Sequence, residues 1–241
     1  MGSQASCIVP LAGAAAAGDR LVGGKAARLG SLIQAGFRVP RGFCITTRAY
    51  ERFVADASLS GHIAMELGRK PLDAMRWEEL WDAALRIRSA FLRTRIPEAI
   101  AAQIRRALAD HVGDGAVAVR SSAPGEDSRQ SSFAGLHDSF VGLEGDHAVL
   151  DAVRAVWASL WSDAALLYRR ELSLDPHRSR MAVLVQAVEL AECSGVAFNR
   201  DPRSPEADRA VEQLRDGDVI TIDGHLGIVT VGPPEFDLEL A

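Results

Sequence analysis

The sequence predicts an α+β protein, and three stretches carry that prediction. Residues 73–94 place Trp77, Leu80, Trp81, Ala84, Ile87 and Phe91 on one helical stripe. Met181–Val188 is an almost continuous apolar run, which suits a central strand. Residues 218–231 alternate on both sides of Asp223-Gly224, the pattern of a short carboxy-terminal β-hairpin.

The remaining elements follow in chain order. Residues 1–20 are mostly small and are expected to be loose at first. Gly23-Gly24-Lys25 then opens a helix in which Ala26, Leu29, Leu32 and Ile33 recur at helical spacing, and Gly36 is placed to end it. Val39–Thr47 reads as a turn entering a short strand, followed by a helix through Tyr50 and Phe53. Pro97 stands where a helix favours proline, at its first position, and Ile100, Ile104 and Leu108 form that helix's apolar face up to Gly113. Ala116–Arg120 and Leu136–Leu143 read as strands. Asp146 is placed to cap a helix carrying Val149, Val153, Val156, Trp157, Leu160 and Leu167. Ser194–Asn199 reads as one more short strand, and Asp201-Pro202 begins a break.

With 241 residues, 48% of them hydrophobic and 24% charged, the chain can bury a substantial core without disulfides or metals. The net charge of −5 argues against nucleic acid as the main partner, although it leaves room for a small basic pocket. Cys7, Cys44 and Cys193 are sparse and lack metal-ligand spacing, which points to a reducing cytoplasm. No apolar run reaches the length of a membrane helix, and nothing resembles a signal peptide.

The chemistry-bearing residues cluster around Val117-Ala-Val-Arg-Ser-Ser-Ala-Pro-Gly-Glu-Asp-Ser128. An apolar strand ends on Arg120 and runs into a loop of Ser, Gly and acidic residues. Arginine presents a rigid fork of donors that matches phosphate oxygens. Spacing alone leaves this open against a salt bridge to Glu126 or Asp127. Lys25, in its Gly-Gly-Lys turn, sits where backbone can approach an anion closely, but the tripeptide by itself reads as a helix-entry turn with an exposed lysine. Gly135 precedes a strand and fits plain turn geometry as well as a phosphate approach. Ser139 could donate a hydroxyl, or be a strand surface residue. Gln186 interrupts an apolar strand, and either reads an adenine edge or faces water from an edge position. Of the six histidines only His137 lies near the phosphate-type loop, and no nucleophile–base arrangement or metal cluster stands out.

Taken together and in order, these segments resemble the phosphoenolpyruvate synthase and pyruvate phosphate dikinase family. The resemblance rests on Gly23-Gly-Lys-Ala-Ala-Arg-Leu-Gly30, Ala35-Gly-Phe-Arg-Val-Pro-Arg-Gly-Phe43, Thr46-Thr-Arg-Ala-Tyr50, Ala118-Val-Arg-Ser-Ser-Ala123 and Ser132-Phe-Ala-Gly135. Trp157-Ala-Ser-Leu-Trp161, Val185-Gln186 and Ser194-Gly-Val-Ala-Phe198 continue it, and the spacing is nearest to the phosphoenolpyruvate synthase and rifampicin phosphotransferase branches. It covers residues 18–205 and implies an ATP-grasp-like nucleotide-binding domain with a mixed sheet flanked by helices. It further implies ATP with magnesium as ligand. Lys25 and Arg120 would lie at the phosphates, Gly135 and Ser139 in the covering loop (the latter usually Thr in the family), and Gln186 at the adenine.

Family members pass the β-phosphoryl group of ATP to a histidine on a separate swivelling domain. Here, residues 206–241 resemble only the closing hairpin of that domain. No Thr-x-Gly-Gly segment ahead of a histidine occurs, and the acidic metal ligands of the second ATP-grasp half are not found. The expectation is therefore an ATP-binding module that does not complete phosphoryl transfer alone, its missing half supplied by a partner chain. The alternative is a non-catalytic remnant or interaction module that keeps the fold.

Overall fold

The computed structural model describes residues 6–125, 127–128, 131–132, 137–189, 220–223 and 228–231. The chain divides after Val188 into two compact units. In the first, strand β1 (Ile8–Pro10) leads into helices α1 (Leu11–Ala17) and α2 (Asp19–Gln34), then β2 (Gly42–Ile45). Four helices follow, α3 (Thr47–Asp56), α4 (Leu59–Leu67), α5 (Trp77–Arg93) and α6 (Glu98–His111). Next come β3 (Val117–Ser122), the small pair β4 (Asp127–Ser128) and β5 (Ser131–Ser132), β6 (Ser139–Leu143), α7 (Gly145–Ser159), α8 (Asp163–Glu171) and β7 (Ala182–Ala187). In the second unit, β8 (Ile220–Asp223) pairs antiparallel with β9 (Ile228–Val231). Ser194–Asn199 lies outside the described residues, and among those described no helix is long and apolar enough to cross a membrane.

The main sheet has the order β1-β2-β7-β3-β6, and all its pairings are antiparallel. The expected mixed sheet is thus corrected. Since β7 runs antiparallel to both β2 and β3, those two strands run the same way, joined by the crossover α3–α6. They would form a parallel pair if adjacent, but β7 inserts between them. The apolar run at Met181–Val188 reads as central because it is: β7 has a strand on each side, and Ala182–Val185 are all fully buried.

One sheet face rests on the large core. Phe53 stacks on Trp157 at 4.9 Å and meets Phe91 edge-on at 5.7 Å, and the indole N–H of Trp161 donates to the Tyr50 hydroxyl at 3.0 Å. Burial pushes the Tyr50 phenol well above its ordinary range. The opposite face carries a smaller cluster, in which Leu11, Ala14, Val22 and Ala26 of α1 and α2 pack on Cys44, Ala182 and Leu184.

Several elements differ from the sequence expectation. The amino-terminal region is not loose at Ile8–Ala17 but supplies β1 and α1. Its alanines give little apolar contrast, so no period betrays the helix. Trp77 and Trp81 are 56% and 45% exposed, and α5 buries Leu80, Ala83, Ala84, Ile87 and Phe91 instead. Trp81 stands about 100° around the helix from Leu80, on the flank of the buried stripe, and Trp77 is the first helical residue. Pro97 occupies the cap position ahead of α6 rather than its first turn. Asp146 is not the cap of α7. Glu144 holds that position, and Asp146 pairs with Arg105 at 2.9 Å from within the first turn. The helix also stops before Leu167, because Ser162 starts α8 by accepting the Ala165 N–H at 3.1 Å.

Phe53 joins two aromatic neighbours, Phe91 and Trp157, in the main core, so Phe53→Ala is expected to cost about 3–5 kcal/mol. Urea denaturation checks this, and a loss below about 1 kcal/mol would show that the aromatic stack is not the centre of the core.

Candidate functional site

The candidate site grows from a break in α2. Gly23 has φ +76° and ψ 164°, values outside the helical region, so the helix proper restarts after it. A Cβ on Gly23 would stand 1.9 Å from the Ser122 carbonyl oxygen. Only glycine allows both the positive φ and this approach. Gly36 closes the helix as its spacing predicts, with its N–H on the Ile33 carbonyl and the Phe37 N–H on Leu32, both at 3.0 Å.

The break is fastened to the end of β3 by hydrogen bonds. The Ser122 hydroxyl donates to the Val22 carbonyl at 2.8 Å and accepts the Ala26 N–H at 3.2 Å, so one side chain joins both sides of the kink. The Gly24 N–H donates to the Ala123 carbonyl at 3.2 Å. The Asp19 carboxylate accepts the Gly125 N–H at 3.0 Å, and the Lys25 ammonium donates to the Ser121 hydroxyl at 3.4 Å. These contacts join segments about a hundred positions apart in sequence. Gly24 and Ala26 spend their N–H groups on protein acceptors, so attraction for an anion here rests on the Lys25 charge more than on an open nest of amides.

Arg120 lies on β3 directly opposite Ser139 of β6 and Leu184 of β7. Leu184 is buried under α1 and α2, whereas Arg120 and Ser139 are exposed. The helices therefore cover the β2–β7 half of this face and leave the β3–β6 half open. Among the described residues Arg120 forms no ion pair. Glu126 lies outside the described residues, and nothing is described of the Asp127 side chain.

Gln186 sits on the same face, opposite Ala118 on one side and Gly42 on the other. It is 8% exposed on a central strand, so the water-facing edge reading does not hold. Its amide donates to the Pro40 carbonyl at 3.4 Å. Gly42 is needed beside it, since a Cβ there would stand 2.2 Å from the Val185 carbonyl oxygen. Strand geometry puts Gln186 about 8 Å from Arg120, two positions along and one strand across. Gly135 lies outside the described residues.

His137 packs in where β6 begins. Its pKa is pushed down to about 4, mainly by burial and then by the positive charges of Arg169 and Lys25. Cys44, buried and free, donates to the Val22 carbonyl at 3.3 Å, and burial pushes its thiol pKa up. Among the described residues no three His, Cys, Asp or Glu side chains gather to hold a metal ion. The residues described thus offer magnesium no ligand set.

Sequence reasoning missed Ser121 and Ser122, which fasten the glycine turn. The only signal was two hydroxyls following Arg120 on a buried strand.

A glycine break fastened beside a strand that carries an exposed arginine, on an antiparallel sheet flanked by helices, defines the class: an α+β domain with a basic sheet edge. The chain belongs to the family described as the pyruvate phosphate dikinase AMP/ATP-binding domain, which matches residues 19–227. It is 40% identical over 200 residues to the phosphoenolpyruvate synthase of Aeropyrum pernix, an overlap of 79% of this chain and 24% of that protein. A rifampicin phosphotransferase of a Streptomyces species is 37% identical, with 89% of this chain and 26% of the relative covered. A probable phosphoenolpyruvate synthase of Methanothermobacter thermautotrophicus is 38% identical, with 86% and 29% covered. The chain spans about a quarter of the length of these relatives.

Gly23→Ala forces a side chain into both a left-handed backbone and a filled space. It is expected to destabilise the fold by at least about 2 kcal/mol, read as a lowered melting temperature. An unchanged melting temperature would mean that the turn is not fastened as described.

Proposed function

We propose that this chain is an ATP-binding module of a phosphoenolpyruvate synthase or pyruvate phosphate dikinase-like phosphotransferase, with an ATP-grasp-like domain over residues 18–205. ATP lies on the open half of the sheet face. Lys25 and Arg120 meet its phosphates, Ser139 and the loop containing Gly135 cover them, and Gln186 with the backbone after it reads the adenine. The observation that supports this reading is the convergence of the Lys25 turn, the exposed Arg120 and Ser139 at one end of the sheet. A buried amide at Gln186 lies a short step away on the same face. Positioning and electrostatics are what phosphoryl transfer mainly asks of a protein, and cationic side chains on a rigid strand end can supply both.

Magnesium accompanies ATP in this reading, but the described residues supply no ligand set for it, so no step is assigned to the ion. The proposed reaction passes phosphate to a histidine, and the sequence holds no Thr-x-Gly-Gly segment ahead of one. The chain alone therefore binds nucleotide without turning it over, and a partner chain supplies the remaining groups. The end of the chain, residues 206–241, is read as a remnant of the phosphohistidine domain. The site of action in this reading is the cytoplasm.

A second reading, an interaction module, is favoured by the exposed apolar flank of α5 at Trp77, Trp81 and Leu85. Native mass measurement separates the two. A monomer that binds ATP supports the first, and a defined complex without nucleotide binding supports the second.

Calorimetry with ATP and magnesium should give micromolar to millimolar binding that falls by about tenfold or more in Arg120→Ala, and the pure chain should release no AMP. Absence of binding by the unaltered chain would remove the nucleotide claim, and AMP release would remove the claim that transfer needs other groups.

A further inference from the structure

A cavity of about 860 Å³ opens where β3 runs into Ala123 and Pro124. Among the described residues its wall carries Arg20, Arg48, Arg169, Arg178 and Arg180, against the carboxylates of Glu51 and Asp175. In a chain of net charge −5 this is a strong local excess of positive charge.

Both carboxylates are already engaged. Glu51 pairs with Arg180, and Asp175 with Arg178 at 3.6 Å. Arg20, Arg48 and Arg169 have no ion pair among the described residues. They come from three separate elements, the start of α2, the first turn of α3 and α8. The Thr47 hydroxyl donates to the Arg20 carbonyl at 3.1 Å and holds the first two elements together.

Arg169 is the most unusual of the three. It is only 3% exposed, donates to the Leu160 carbonyl at 2.7 Å, and lies 6.0 Å from the centre of the Trp161 ring. Burial pulls its pKa down to about 10, which still leaves it charged at neutral pH. A buried guanidinium with one carbonyl partner is costly, and an anion in the cavity would offset that cost.

We propose that this cavity is a second anion site, which binds a small polyanion through Arg20, Arg48 and Arg169. Among the described residues that line it, none is Lys25, Arg120, Ser139 or Gln186, which distinguishes it from the four side chains assigned to nucleotide. Arginine forks pair with two oxygens of a phosphate or a carboxylate alike. Three forks around one space call for a ligand with at least two anionic groups, such as a pyrophosphate or a tricarboxylate. A concave wall with one arginine on its floor suits a small molecule better than a membrane or a duplex.

The test is calorimetric titration of sodium pyrophosphate into the full chain at constant ionic strength, with acetate and citrate as comparators. Pyrophosphate should bind and acetate should not. The double variant Arg20→Gln/Arg48→Gln changes only exposed side chains with no ion pair among the described residues, and should weaken binding by about tenfold or more. Arg120→Ala should change it by less than about twofold. Citrate displacing pyrophosphate would extend the ligand class to carboxylates, and citrate failing to compete would assign it to phosphates. Pyrophosphate binding unaltered in the double variant, binding lost in Arg120→Ala, or no binding by the unaltered chain would each overturn the second site.

Discussion

The hydroxyl of Ser122 holds the two halves of this domain in register. It donates to the carbonyl before the Gly23 break and accepts an N–H after it, so α2 is fastened to the end of β3 at the point where the helix is interrupted. The break exists because Gly23 adopts a positive φ and leaves the Ser122 carbonyl room that any Cβ would fill. Take either away and Lys25 loses its place beside Ser121. A cation on a flexible side chain becomes a positioned charge only when its backbone is pinned, and here the pin is a short set of hydrogen bonds.

The topology decides what that positioned charge can face. Because β7 inserts antiparallel between β2 and β3, the sheet has a deeply buried middle and a β3–β6 margin. Helices α1 and α2 cover one side only as far as Leu184. Arg120, one strand further out, stays exposed opposite Ser139. The large aromatic core lies under the other face of this margin, where Val117 and Val119 of β3 are buried in it and Phe140 and Leu143 of β6 pack against it. The arginine-lined cavity beside Pro124 is lined by His137 as well, whose pKa burial and the charges of Arg169 and Lys25 push down.

Much of this was legible in the sequence, for identifiable reasons. Met181–Val188 announced a central strand because both its faces are buried and neither needs a polar residue. The order of short motifs from Gly23 to Gln186 pointed to the family, since local turn and strand chemistry survives in residue type. What was not legible depends on distance or on contrast. Ser122 acts across about a hundred positions, and no local pattern marks such a contact. The alanines of α1 form a helix without an apolar period. On α5, Trp81 and Leu80 are neighbours in sequence, yet one is exposed and the other fully buried. Arg20, Arg48 and Arg169 lie on three elements, and only the fold brings them to one wall.

The central claim is that the Gly23 turn and the Arg120–Ser139 margin form one phosphate-facing edge. Amide chemical shifts of the isotope-labelled chain, followed by NMR as ATP and magnesium are added, test it most directly. The account predicts that the amides of Lys25, Arg120, Ser139 and Gln186 shift together, with one common saturation curve. Shifts confined to other surfaces, such as the Trp77–Leu85 flank of α5, with those four amides unmoved, would contradict it.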